Sequence, residues 1–452
     1  MFFMKKLLIL VSLIFCCVNL SNASELMSSD SPKIHVYHLK NGLTLFVKED
    51  HHSPSVVNMV WYRVGSAYET SGITGISHAL EHMMFQGTPL YPQGQFSKIV
   101  AENGGEENAF TSQDYTAYFE KLDRSLLPLA FKLESDRMQH LSLKENNFKK
   151  EIQVVREERH MRIDDNPQAL TFERFMAATY LSTPYHNPTI GWPDDLRHLN
   201  INDLRSWYNT WYAPNNASIV VVGDVKAGEV FEQVKKTFES IPSKRLPEFK
   251  VHEEPPALGS RHVVVKKSAK LPFVMLGYLT PSRVTEKTWK PYALTLLSCV
   301  LSAGNSARLP NHLIRESQIA SQANAEYDMY SLYQSAFMLY GVPSKQHTVK
   351  ELKAALLKEI KLLQTTLISA AELKKVKTQL IAKEIYDRDS LFQQASDIGM
   401  LTSIGLPPDA KDSDIDRLKA ITPQQIQQVA REYLRPNNLT VAVLVPQSLT
   451  SK

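Results

Sequence analysis

Two stretches of the chain lying 222 residues apart read alike. Tyr212-Ala213-Pro214-Asn215-Asn216 precedes the strand-like run Ala217 to Val222, and Leu434-Arg435-Pro436-Asn437-Asn438 precedes the run Leu439 to Val445. The register also holds upstream, where Leu196, Leu199 and Leu204 fall on Leu418, Ile421 and Ile426. Asn200 falls on Thr422, and each is predicted to cap the helix that follows it. Thr422-Pro423-Gln424-Gln425 also has capping-box form, with proline at the first helical position. One shared Pro-Asn-Asn arises easily by chance; a capped helix, a turn and a strand in one register do not. With 452 residues the chain is too long for a single core, and duplication says how it divides.

The prediction is an α+β protein of two homologous α/β-sandwich halves, each a mainly antiparallel sheet packed against helices. The halves span 24–240 and 261–452. Between them, 241–260 holds Pro242, Pro247, Pro255, Pro256 and Gly259, a composition suited to an extended linker. In each half strand-like runs, Val56 to Val64 and His262 to Val265, come first, helical patterns follow, and a β-branched strand closes the unit.

Composition narrows the partners. With 51 Lys+Arg against 47 Asp+Glu, the formal charge of +4 gives no basis for nucleic-acid binding. Lys5 and Lys6, the apolar stretch Leu7 to Leu20 and the small-x-small site Ser21-Asn22-Ala23 form a secretory signal over 1–23, so the protein is expected to be exported, periplasmic or secreted. No later window is long and apolar enough to span a membrane. Cleavage removes Cys16 and Cys17 and leaves Cys299 alone, which excludes an intramolecular disulfide. Its apolar setting predicts a buried, inert thiol.

The chemistry concentrates in His78-Ala79-Leu80-Glu81-His82. Thr74 is predicted as the N-cap of a helix, Gly87 sits where a C′ glycine would, and Pro89 follows. On that helix His78, Glu81 and His82 share one face, while Ile76, Ala79, Leu80 and Met83 lie on the other. Two neutral imidazoles beside a carboxylate suit Zn²⁺ with a general base. A catalytic zinc usually takes three protein ligands. A second predicted helix, Phe148 to Met161, carries Glu151 and Glu158 seven residues apart beside the apolar stripe Phe148, Ile152 and Val155. Carboxylates there need a partner, either a metal or the nearby Arg156 and Arg159. Glu157 is expected to face solvent.

These residues resemble the pitrilysin/insulinase-type zinc metallopeptidases, whose inverted motif reads H-x-x-E-H. The resemblance runs through Gly65-Ser66, Phe85-Gln86-Gly87-Thr88, Asn103-Gly104-Gly105, Asp114-Tyr115-Thr116-Ala117-Tyr118 and Pro184-Tyr185. It implies His78, His82 and Glu158 as zinc ligands, Glu81 as general base, and Glu151 as a second acidic residue supporting the ligands. It also implies Asn108, Ala109, Phe110 and Thr111 as the edge strand on which a peptide substrate lies. The family's second half usually adds an arginine and a tyrosine in R-x6-Y spacing. Arg315 fits the arginine, but Gln322 stands at the tyrosine position. Either Gln322 substitutes, a partner chain supplies the pair, or catalysis is weak. The resemblance further implies a homodimer, or a heterodimer with a related chain lacking the metal motif.

The second half shows no metal motif, since Pro291 to Leu297 contains neither His nor Glu, so one Zn²⁺ per chain is expected. The leading expectation is an exported zinc endopeptidase acting on peptides or unfolded segments. The alternative is a non-catalytic or weakly active peptide-binding or assembly subunit of the same fold. A mitochondrial processing role is disfavoured by the Lys-containing leader, which is not an Arg-rich amphipathic presequence.

Overall fold

The computed structural model describes residues 33–250 and 253–447. The expected leader over 1–23, with Cys16 and Cys17, lies outside the described residues. Eleven strands among the described residues form two sheets. The first contains β1 (Ile34–His38), β2 (Thr44–Glu49), β3 (Ser55–Tyr62), β4 (Glu106–Thr111), β5 (Thr116–Asp123) and β6 (Ala217–Gly223), in the order β1-β2-β6-β3-β5-β4. The second contains β7 (Arg261–Ser268), β8 (Phe273–Thr280), β9 (Ala320–Glu326), β10 (Ser335–Pro343) and β11 (Leu439–Gln447), in the order β7-β11-β8-β10-β9. Apart from β1 the two orders are the same. In each, only one pairing of the closing strand is parallel, that of β6 with β2 and of β11 with β7.

The duplicated Pro-Asn-Asn now has a physical reason. The helices Ile201–Trp211 and Pro423–Tyr433 each begin with a formed capping box, Asn200 with Asp203 and Thr422 with Gln425. After each helix the last asparagine of the triplet turns its side-chain amide back. Asn216 donates to the carbonyl of Trp211 at 2.9 Å, and Asn438 donates to that of Tyr433 at 3.1 Å. The same amide reaches the neighbouring central strand in the second copy, donating to Leu279 at 2.8 Å. The triplet thus satisfies a helix-end carbonyl and sets where the closing strand starts.

Strand β3 shows how the layers form. Its alternate residues Val56, Val60 and Tyr62 join the core under the first half's own helices, while Val57, Met59 and Trp61 face the other way. Both sets are buried, so both faces of the sheet are covered. The second cover comes from the opposite half. Helix Leu391–Ser403 of the second half lays Ala395 and Ile398 on the first sheet. Helix Pro167–Thr179 of the first half lays Phe175 among Phe273, Met275, Ala442 and Leu444 of the second. Each half lends one helix to the other's sheet.

The approach is close enough to require glycine. A Cβ at Gly277 would lie 2.1 Å from the Phe175 ring, and one at Gly399 would lie 1.9 Å from the Trp61 ring. Between the halves the described residues carry no helix or strand between Glu239 and Ser260, yet Glu254 within this stretch is tied to the first half. The buried Glu254 carboxylate accepts from the backbone N–H groups of Leu181, Ser182 and Thr183 at 2.9, 2.9 and 2.6 Å. No helix among the described residues is long and apolar enough to cross a membrane.

Candidate metal centre

The helix Ile76–Met84 carries the H-x-x-E-H residues, and its start differs from the sequence expectation. Gly75, not Thr74, is the N-cap, with φ +86°. A Cβ there would meet the Ile190 carbonyl at 2.6 Å, so glycine is required. Thr74 instead donates its hydroxyl to Asp195 at 2.5 Å. The first-turn amides go to a residue from outside the helix. The Glu69 carboxylate, 4% exposed, accepts from Gly75 N at 2.7 Å and Ser77 N at 2.9 Å. It cancels the orphan donors of a helix start that has no side-chain cap of its own. Burial raises the Glu69 carboxyl to about 7. The apolar face, Ile76, Ala79, Leu80 and Met83, is buried in the first core.

The second helix spans Glu145–Arg159 and runs on into a wide turn over His160–Asp164. Phe148, Ile152 and Val155 anchor it. That anchoring turns Glu151 and Glu158 toward the two histidines and leaves Glu157 exposed. The Glu158 Oε2 lies 3.3 Å from His82 Nε2 and 3.7 Å from His78 Nε2. His78, His82 and Glu158 form a group whose ligand atoms all lie within 4.8 Å of one another. The other Glu158 oxygen is held by Arg162 at 2.9 Å. That contact fixes the carboxylate with a single oxygen facing the histidines.

The donor set fits zinc: two imidazole nitrogens and one carboxylate oxygen, converging from two rigid helices. Burial, first, and then His82 and Arg162 push the His78 imidazolium down to about 3, so the ring is neutral, as a ligand must be. Its Nδ1 is buried without a hydrogen-bond partner, so Nε2 is the nitrogen turned to the cluster. His82 Nδ1 lies 3.6 Å from Glu151 Oε2, and Gln86 donates to Glu151 Oε1 at 2.8 Å. Glu151 therefore stands behind His82, an arrangement that orients imidazoles where they bind metal. Arg156 and Arg159 pair elsewhere: Arg156 with Gln153, and the buried Arg159 with Glu173 at 2.7 Å.

Glu81 is 9% exposed, and its Oε2 accepts a hydrogen bond from the Thr111 hydroxyl. Burial raises its carboxyl above the ordinary glutamate range, and the Thr111 bond partly offsets this. Asn108, Ala109, Phe110 and Thr111 lie on β4, the edge strand, which pairs with β5 on one side. A cleft of about 610 Å³ opens beside the cluster, with His78, Thr111 and Glu158 in its lining. Arg315 and Gln322 are not among the residues lining it. Both are exposed on the second half, where Arg315 bonds the Asn305 carbonyl and Asn311, and Gln322 sits on β9 opposite Val342. Gln86, Arg162 and Glu69 were not anticipated. The one available signal was Gln86, in the segment Phe85-Gln86-Gly87-Thr88.

Among the described residues the duplicated α+β fold groups two histidines and a glutamate that could hold a metal ion in the first half. Residues 45–192 match the family model described as insulinase (peptidase family M16), and residues 198–380 match one described as the peptidase M16 inactive domain. The chain is similar to the zinc protease PqqE of Helicobacter pylori, at 33% identity over 98% of this chain and 99% of that one. It is also similar to an uncharacterized zinc protease, YmxG, of Bacillus subtilis, at 27% identity over 91% of this chain and 98% of the relative. The crystal structure of a protease from Helicobacter pylori superposes with a TM-score of 0.87 at 32% identity, covering 92% of this chain and all of that one. The protein belongs to the insulinase family of peptidases, M16. The match to the domain that family calls inactive begins within the first half and runs through Leu380 of the second.

Proposed function

We propose that the protein is an exported zinc endopeptidase that cleaves peptides or unfolded segments, with Glu81 as general base. The observation that carries this is the convergence of His78 Nε2 and His82 Nε2 on one Glu158 oxygen beside a buried carboxylate. His78, His82 and Glu158 would hold one zinc ion per chain, and Glu151 would keep His82 oriented through its Nδ1. When bound, zinc supplies Lewis-acid chemistry that makes water nucleophilic near neutral pH. Thr111 fixes one Glu81 oxygen and leaves the other to take the proton of the attacking water. Glu81 then passes that proton to the leaving amine. A substrate added as a strand along Asn108 to Thr111 gains main-chain hydrogen bonds and brings its backbone beside Glu81.

The purified protein is expected to cleave an unstructured peptide, to lose this activity to a chelator, and to regain it with one equivalent of zinc. A stoichiometry near two would overturn the single site. One bound zinc without any cleavage would favour the second reading, a peptide-binding subunit, for which the placement of Arg315 and Gln322 outside the cleft lining speaks. Export rests on Lys5, Lys6 and the apolar stretch that follows. N-terminal sequencing of the exported protein should begin at Ser24, and an intact Met1 would exclude cleavage there.

A further inference from the structure

The cleft beside the metal cluster does not end at the first half. A second cavity of about 500 Å³ shares five wall residues with it: Gln113, Phe172, Met176, Tyr185 and Asp328. Its far wall belongs to the second half, with Cys299 and Ser302 on helix Lys290–Ser302, Ala325 on β9, and Ala336 and Met338 on β10. Both edge strands lead into its wall, since β4 ends at Thr111 two residues before Gln113, and β9 ends at Glu326 two residues before Asp328. The common wall is held rigidly. The Tyr185 hydroxyl donates to Asp114 at 2.6 Å, and the Leu332 N–H from the second half reaches both at 3.2 and 3.0 Å.

We propose that this second cavity is the specificity subsite of the groove, receiving one bulky apolar side chain of the peptide bound along β4. The inference rests on the peptidase reading for the peptide's path and adds which residue the site selects. Small residues on the far wall leave the volume, while Phe172, Met176, Tyr180 and Met338 supply an apolar lining. Phe172, in the wall of both cavities, is 41% exposed. The thiol at the far wall is uncharged, burial pushing Cys299 up to about 11. Glu326 and Asp328 also line the cavity, so neutral or basic neighbours of the apolar residue are favoured. Gln113, in the wall of both cavities, follows Thr111 by two residues, so a peptide extended along β4 would place the selected side chain about two to four residues from the bond beside Glu81.

The test uses the full chain carrying Glu81→Gln, loaded with zinc, so that peptides bind without turnover. A phenylalanine is scanned through a fluorescent alanine- and serine-rich peptide, and binding is read by anisotropy. At one or two positions phenylalanine is expected to raise affinity about tenfold over alanine, as burying one aromatic side chain allows. Ala303→Trp, which fills the cavity from the end of its helix, should bring the Phe-over-Ala ratio toward one. Phe172→Ala, on an exposed position that leaves the core intact, should reduce the ratio several-fold. A flat scan, or a ratio that survives both substitutions, overturns the subsite. Hydrolysis by the wild-type protein is measured separately. Cleavage with a flat scan removes the subsite and leaves the peptidase, whereas a phenylalanine preference without cleavage does the reverse.

Discussion

Glu81→Gln should lower kcat on an unstructured peptide by about 10³-fold while leaving one zinc bound per chain. Glutamine keeps the length and shape of the side chain, and its carbonyl oxygen can still accept from the Thr111 hydroxyl. What it loses is the capacity to take a proton. The proposed ligands are His78, His82 and Glu158, so zinc content measured by elemental analysis should not change, and this separates the substitution from a change to a proposed ligand such as His82→Ala. Thr111→Val tests the same carboxylate from the other side. The Thr111 hydrogen bond lowers the Glu81 pKa against the burial that raises it. Removing it moves that pKa higher still. A general base works deprotonated, so the acid limb of the rate profile should shift to higher pH. Turnover by Glu81→Gln within a few-fold of wild type would sink the assignment of Glu81.

The residues of the centre differ in how far they can be read from sequence, and the reason is range. His78, Glu81 and His82 are legible because helical periodicity alone puts three residues at i, i+3 and i+4 on one face. Glu151 and Glu158 are half legible: seven-residue spacing puts them on one face of a second helix, but only the family resemblance says that face meets the first. Arg162 stands four residues after Glu158, a spacing the sequence shows, but periodicity cannot say that one Glu158 oxygen is taken there and the other left to the histidines; Gln86 could be read only as part of a shared segment, since its contact with Glu151 joins separate elements. The expected Thr74 cap failed for a related reason. Local pattern favours a hydroxyl before a helix, yet Glu69 reaches over six residues to hold the amides, and Asp195, from far along the chain, claims Thr74. In the fold, the repeat made the halves visible at once. The strand-like run over Val56 to Trp61 was legible, but no periodicity could say that its second face is covered by a helix lent by the other half.

That exchange makes the second large prediction. Gly399→Ala should destabilise the protein by about 3 kcal/mol, near the upper range for forcing atoms into a packed interior. The added Cβ would stand 1.9 Å from the Trp61 ring, and the indole has nowhere to retreat. It is 1% exposed, with Phe110 and Tyr115 packed edge-on at 5.4 and 4.9 Å. Gly277→Ala is the mirror experiment, placing a Cβ 2.1 Å from Phe175. Gly228→Ala is the control, because a Cβ there meets nothing within 4 Å and the helix it lies in tolerates alanine well. Denaturant midpoints compare the three, and a Gly399→Ala protein as stable as the control would show that the halves are not held this way. The effect should also reach the site. Phe110 belongs to β4, one residue from the Thr111 that holds Glu81, so displacing Trp61 disturbs the strand on which substrate is proposed to lie. Gly399→Ala should therefore raise KM even at temperatures where the protein remains folded.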